Sequence, residues 1–327
     1  MGAHPGEGVG RSVSGVDLSI VAPCFNEQEC LPEFYRRVSK VCEPLGGTYE
    51  IVLVNDGSRD RTWEEMLALA GADPRLVCVN LSRNFGHQAA VVAGLSLSRG
   101  ERILILDADL QDPPELLPAM LVRMEAGADV VYGQRRSRMA ESVFKRATAA
   151  AFYRVLEWLT DISIPRDAGD FRLLSRRALD TLLRLSERPQ FLRGMVSWIG
   201  YRQEAFPYDR EGRFAGHTKY SLGKMIGFAL DAVVAFSVKP LMFASLAGIV
   251  TSLVALVLFV YSLVSWMSGG TAHGWTSLMA GIALLSGIQL LVLGIMGAYL
   301  GRLLVQSRGR PIFIIERIVR NENALSK

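Results

Sequence analysis

Ile103-Leu104-Ile105-Leu106-Asp107-Ala108-Asp109-Leu110-Gln111-Asp112-Pro113-Pro114-Glu115 is the stretch on which the fold turns. Four apolar residues give way at once to two carboxylates one residue apart, and then to a proline pair suited to open a helix. An apolar run this short, with no polar residue inside it, fits a strand buried on both faces. The same shape recurs along the chain. Leu18–Ala22 is followed by Pro23-Cys24-Phe25-Asn26-Glu27, and Ile51–Val54 by Asn55-Asp56-Gly57-Ser58. Leu76–Leu81 leads into Ser82-Arg83-Asn84-Phe85-Gly86, and Val130–Tyr132 into Gly133-Gln134-Arg135-Arg136. Amphipathic stretches such as Leu31–Cys42 and Trp63–Ala70 lie between these runs. Strands alternating with helices predict an α/β, Rossmann-like domain with a mostly parallel sheet, over residues 17–220. Such sheets bind ligands outside the carboxyl ends of their strands, where the polar segments fall.

The charge pattern sets the rest of the organisation. The 327 residues hold 36 Lys+Arg and 32 Asp+Glu, a net +4, yet the 62 residues from Pro240 to Gly301 carry none of them. A soluble enzyme is excluded by a charge-free stretch long enough to cross a bilayer twice. Ser268-Gly269-Gly270-Thr271-Ala272-His273-Gly274 divides it into predicted transmembrane helices at 240–267 and 275–301. The dividing loop has no Lys or Arg, whereas Lys219, Lys224 and Lys239 precede the pair and Arg302, Arg308 and Arg310 follow it. The positive-inside rule puts the large domain and both termini in the cytoplasm, on a bacterial-type inner membrane. Residues 221–239 mix Lys224, Asp231 and Lys239 with Met225, Ile226, Phe228, Val233 and Phe236, which predicts an interfacial amphipathic helix or, alternatively, one packed on the large domain. Residues 1–239 are net neutral, with 30 basic and 30 acidic side chains, so no nucleic-acid partner is expected. Residues 1–16 are Gly/Ser-rich and expected to be disordered. The four cysteines have no metal-ligand spacing and are expected to be reduced thiols.

Asp107 and Asp109 at a strand end have the chemistry to hold Mg²⁺ or Mn²⁺ together with a substrate's phosphate oxygens, and Gln111 offers a further oxygen. Taken alone, the triplet more readily describes a capping turn before a helix at Glu115–Glu125. Asp56 is placed to accept from a base or ribose, or to close an Asx turn. Phe25 is suited to lie near a base, while Asn26 is also a helix cap. Arg135, Arg136 and Arg138 form one basic cluster and Arg210, Arg213 and Lys219 another; they suit either a lipid phosphate headgroup or anionic lipid in general.

Together, Pro23-x-Phe-Asn-Glu, Asp56-Gly-Ser, Arg83-Asn-Phe-Gly, Asp107-x-Asp-Leu-Gln-Asp-Pro-Pro-Glu, Gly169-Asp-Phe-Arg-Leu and two carboxy-terminal spans resemble the family 2 glycosyltransferases that use polyprenyl phosphate as acceptor. Dolichyl-phosphate mannose synthases and bacterial undecaprenyl-phosphate glucosyltransferases are of this type. The resemblance runs from about Leu18 to Arg317. It implies a GT-A fold, a nucleotide-sugar donor and a divalent cation. By motif, it assigns Asp107, Asp109 and Gln111 to the metal, and Pro23, Phe25, Asn26, Glu27, Asp56, Ser58 and Asp107 to the nucleotide-sugar. Asp109 and Asp170 become the catalytic candidates, with Asp170 on the sugar side as candidate base. Arg135, Arg138, Arg210, Arg213 and Lys219 become the acceptor-phosphate candidates. A lipid monophosphate is largely dianionic at neutral pH, so its oxygen attacks without deprotonation and Asp170 has an orienting role open to it.

The chain departs from the processive synthases of the same superfamily, which carry Gln-x-x-Arg-Trp where this sequence has Gln190-Phe-Leu-Arg193-Gly194. Transfer of a single sugar is therefore expected, first glucose from UDP-glucose, with a modified arabinose, an N-acetylhexosamine or mannose from GDP-mannose as alternatives; the contrasting reading is a catalytically silent membrane scaffold. The basic tail, 302–327, contains Pro311-Ile-Phe-Ile-Ile-Glu316, which predicts a strand that joins a neighbouring subunit in a homo-oligomer or packs on its own domain.

Overall fold

Residues 15–136, 168–185, 192–209, 237–268 and 274–320 are described by the computed structural model of the chain. They fall into two compact units, one holding the described residues up to 209 together with 311–320, the other holding 237–310.

The first unit is built on eight strands: β1 (Leu18–Cys24), β2 (Tyr49–Asn55), β3 (Leu76–Leu81), β4 (Arg102–Ile105), β5 (Val130–Arg135), β6 (Ala168–Ser175), β7 (Gln203–Tyr208) and β8 (Ile315–Arg320). They form one sheet in the order β7-β5-β6-β4-β1-β2-β3-β8. β4, β1, β2 and β3 are parallel neighbours; β6 and β8 run antiparallel to theirs. All seven residues of β1 and all seven of β2 are buried, as expected of strands with a helix layer on each face.

Alternation within the strands feeds two cores. Ile20, Ala22, Ile51 and Leu53 pack with Leu31, Phe34 and Val38 of α1 (Leu31–Cys42), Met66 of α2 (Thr62–Ala72) and Met120 of α4 (Leu117–Glu125). The opposite face carries α3 (His87–Leu97), whose Ala89 through Leu95 are all buried. That helix lies so close to the sheet that a Cβ on Gly94 would stand 2.4 Å from Val21 Cγ1. α5 (Arg176–Arg184) follows β6, capped by Ser175, whose Oγ accepts from the Ala178 amide at 3.3 Å. α6 (Leu192–Trp198) precedes β7.

The second unit consists of α7 (Lys239–Met267) and α8 (Trp275–Ser307), which pack on each other. Tyr299 in the last third of α8 donates to the Ser237 carbonyl before α7 at 2.5 Å, as an antiparallel pair requires. Lys239–Tyr261 and Leu284–Ser307 are long and apolar enough to cross a membrane. Their large side chains, such as Leu253, Val257, Leu290 and Leu291, are exposed.

Two features differ from the sequence reading. The second helix continues beyond Gly301 to Ser307. The tail strand lies at Ile315–Arg320 instead of Pro311–Glu316, and it pairs with β3 of its own sheet. Backbone pairing along β3 sets its bounds, whereas the apolar run Ile312-Phe313-Ile314 only leads into it. Residues 1–14, the 221–236 part of the expected interfacial helix, and the candidates Arg138, Arg210, Arg213 and Lys219 lie outside the described residues.

Candidate active site

The carboxyl ends of β1, β2, β3 and β4 converge on a cavity of about 300 Å³. Pro23, Phe25, Glu27, Asp56, Asp107 and Asp109 of the sequence candidates line it, joined by Cys24, Asn84, Gly86, His87 and Ala108.

The loops around it are fastened to one another. Asn26 takes a left-handed conformation, φ +57, which a short amide side chain tolerates. Its amide donates to Ser58 Oγ at 3.0 Å and its Oδ1 accepts from the Arg59 amide at 2.8 Å. Asn26 and Ser58 therefore hold the β1–α1 loop against the β2–α2 loop and are absent from the cavity lining. Asp56 accepts from the amides of Phe85 (2.7 Å) and Gly86 (3.0 Å), one on each carboxylate oxygen. Burial raises its pKa, and these two amides oppose the rise. Gly57, at φ +65, passes so near the β3–α3 loop that a Cβ would lie 2.4 Å from the Asn84 nitrogen. Only glycine satisfies both constraints.

The Asp107–Asp109 turn is treated differently. Leu110, next in the chain, is buried at φ +58, a conformation that costs a leucine about 1–2 kcal/mol and that the packed core around it maintains. Asp109 is buried, and its Oδ1 accepts from the Gln111 amide at 3.2 Å. Gln111 thus meets the turn through its backbone, and it too is absent from the cavity lining. Asp107 Oδ1 is buried with no hydrogen-bond donor; His87 Nε2 is 3.6 Å away. Burial, followed by the neighbouring acids Asp170, Asp109 and Asp112 against the opposing influence of His87, pushes the Asp107 carboxyl up to about 6.

Beside it, Asp170 is buried and amply served. His87 Nε2 (3.1 Å) and Gln88 Nε2 (3.2 Å) contact Oδ2, and Arg193 Nε donates to Oδ1 at 2.9 Å. Burial disfavours its charge, but His87, Arg193 and Arg172 hold the carboxyl well below the ordinary range. His87 in turn is raised to about 8: burial lowers it, and Asp170 and Asp107 outweigh that. The sequence reading missed His87, Gln88 and Arg193. The first two directly follow the polar loop after β3, so extending that loop by two residues finds them; no local feature marks Arg193 as a partner of Asp170.

Arg135 ends β5 opposite Tyr208 of β7 and is outside the cavity lining. A Cβ on Gly169 would lie 3.0 Å from its guanidinium. Among the described residues no group of three His, Cys, Asp or Glu side chains could hold a metal. Two carboxylates at a strand end, one with an undonated buried oxygen, fit a hard divalent cation whose other ligands come from a ligand phosphate and water.

A strand-end cavity with paired carboxylates is the arrangement of an α/β enzyme acting on a phosphorylated ligand. The family model described as glycosyl transferase family 2 matches residues 19–183, and the chain belongs to that family. It is 43% identical over 309 residues to an uncharacterized glycosyltransferase, YkcC, of Bacillus subtilis (strain 168), covering 94% of this chain and 96% of that one. It is 38% identical over 307 residues to the prophage bactoprenol glucosyl transferase homolog of Escherichia coli (strain K12), covering 92% and 99%. The mannosyltransferase PcManGT from Pyrobaculum calidifontis, solved with GDP-Man and Mn²⁺, aligns at 18% identity and a TM-score of 0.45 over 86% of each chain.

Proposed function

We propose that this enzyme transfers one glucose from UDP-glucose to the phosphate of a polyprenyl phosphate such as undecaprenyl phosphate, with inversion at the anomeric carbon. The observation that carries the reading is the undonated, buried Asp107 oxygen beside Asp109 in a strand-end cavity. The relative whose name specifies bactoprenol glucosyl transfer, matched over nearly the whole of both chains, supports the choice of sugar and acceptor.

In this reading Asp107 and Asp109 would hold Mg²⁺ or Mn²⁺, which would supply positive charge to the donor diphosphate and to the departing nucleotide. Phe25, 43% exposed at the cavity, offers a face for the base, and Glu27 offers a carboxylate to its edge or ribose. Asp56 shapes the cavity by holding Phe85 and Gly86 in place. Asp170 positions His87 and Arg193 instead of removing a proton, since a carboxylate held so far below its usual range is a weak base. An already dianionic lipid phosphate requires no base. Arg135, with Arg138, Arg210, Arg213 and Lys219, remains our candidate set for the acceptor phosphate.

The two apolar helices return the chain to its starting side, and the lysines and arginines flanking them favour a cytoplasmic catalytic domain with both termini on that side. The test is incubation of the purified protein in detergent with undecaprenyl phosphate, Mg²⁺ or Mn²⁺, and a panel of UDP- and GDP-sugars, reading the mass of the lipid product. A singly glucosylated lipid formed from UDP-glucose is expected. Product from another donor only would replace the sugar, and no product from any donor with a folded protein would sink the reading.

A further inference from the structure

The strand that follows the second apolar helix reaches toward the donor side of the sheet through a chain of side-chain amides. β8 pairs with β3 in steady antiparallel register from Val77↔Arg320 to Asn80↔Arg317, and then Leu81 pairs with Ile315. Glu316 is left as the extra residue, a β-bulge, and bulges redirect a side chain. Here the redirected carboxylate accepts from Asn80 Nδ2 at 2.7 Å. Asn80 Oδ1 accepts from Asn55 Nδ2 at 2.7 Å, and Asn55 Oδ1 accepts from the Ser58 amide at 3.1 Å. Ser58 Oγ accepts from the Asn26 amide at 3.0 Å. Asn55 is buried at the end of β2, one residue before Asp56, and Asn26 lies between Phe25 and Glu27.

All four hydrogen bonds point the same way, and the two ends require it. An ionised carboxylate only accepts and a backbone N–H only donates, so one orientation of each amide satisfies every group. We propose that Glu316 is a positioning residue: acting through Asn80 and Asn55, it fixes the Asn26 and Ser58 turns that frame the nucleotide side of the cavity. The proposal rests on the reading of this cavity as the donor site. It gives the carboxy-terminal strand a part in donor binding that neither its place in the chain nor its composition announces.

The test uses the full-length protein in detergent and the variants Glu316→Gln, Glu316→Lys, Asn80→Asp, and Glu316→Lys combined with Asn80→Asp. Glu316→Lys sets an ammonium against the Asn80 amide donors, and Asn80→Asp sets a second carboxylate against Glu316. The double variant restores complementarity, because the carboxylate introduced in β3 accepts both from the ammonium introduced in β8 and from Asn55. Two readouts are taken: hydrogen exchange at the Asn26 and Ser58 amides, and the KM for UDP-glucose beside kcat. With one relay hydrogen bond lost, each mismatched single variant should raise exchange and KM by roughly 5- to 10-fold, with kcat within about twofold. Glu316→Gln and the double variant should return to within about twofold of the unsubstituted protein on both readouts. Unchanged exchange at those two amides in both mismatched single variants would overturn the proposal, as would a double variant as impaired as the worse single one. If no donor supports transfer, the functional reading fails, while the exchange ranking still decides the relay.

Discussion

At the amino ends of the central strands Glu50 is buried among cations. Its Oε1 accepts from Ser19 Oγ at 2.7 Å and from the Arg99 amide at 2.6 Å; its Oε2 has no hydrogen bond among the described residues, but guanidinium nitrogens of Arg99 and Arg320 lie 3.5 and 3.8 Å from it. At the carboxyl ends Asp107 is held with one oxygen undonated and acids as neighbours. The same sheet thus keeps one carboxylate among cations and another among acids, the one that the proposed function gives to an external cation. An acid compensated by cations contributes to folding; an acid set among other acids carries a cost in the folded protein that binding a cation would offset.

The comparison breaks most visibly at the strand-end turn. Asp107→Asn or Asp109→Ala should cut lipid glycosylation by ~10²- to 10³-fold or more while the thermal midpoint holds, or rises for Asp107→Asn as a poorly compensated charge is removed. A fall in midpoint matching the fall in turnover would mean that these acids are structural. Asp170→Asn should lower kcat roughly 10-fold without moving the acid limb of the pH–rate profile, as expected for an orienting group. A limb that moves would restore it as a base.

At the other end the effects belong to stability. Glu50→Leu should lower unfolding free energy by about 3 kcal/mol, because Arg99 and Arg320 are left beside an apolar group, and should leave donor KM within about twofold. Denaturant titration together with steady-state kinetics separates the two. The smallest effect sharpens the contrast through pH. Asp129, also at the amino end, is held below its ordinary range by Arg177 first and Ser175 after it, against burial. Its contribution is therefore present above the unfolded carboxylate's range and lost as pH falls. Asp129→Asn should flatten the acid limb of the stability curve, measured by thermal melts between about pH 6 and pH 3; an unaltered slope would show that Asp129 is not what titrates there.

The parallel half of the sheet was legible because its strands are apolar on both faces and end in abrupt polar segments. β6 was not: Ala168–Ser175 carries Asp170 and Arg172 inside a buried strand, and their mutual neutralisation is visible only once folded. α3 was hidden for the opposite reason, since Ala89–Leu95 is buried nearly all round and shows no amphipathic period. Within the site, the acids stood out at strand ends, yet their division of labour did not. Asn26 and Ser58 read as ligand groups in sequence, and the fold adds a fastening of two loops that no spacing announced, while Gln111 meets the Asp109 turn through its backbone. Arg193 reaches Asp170 only because α6 and β6 belong to the same sheet-and-helix layer system, a relation that no spacing encodes.

The pairing of β8 with β3 also has a consequence in time. Synthesis delivers β3 early, then the remaining core strands, then both apolar helices, and only afterwards the partner for the outer edge of β3. Until Ile315–Arg320 leaves the ribosome, that edge presents unpaired amides and carbonyls to any extended chain nearby. Nascent chains arrested after Ser307 should therefore carry the other seven strands of the sheet with one adhesive flank.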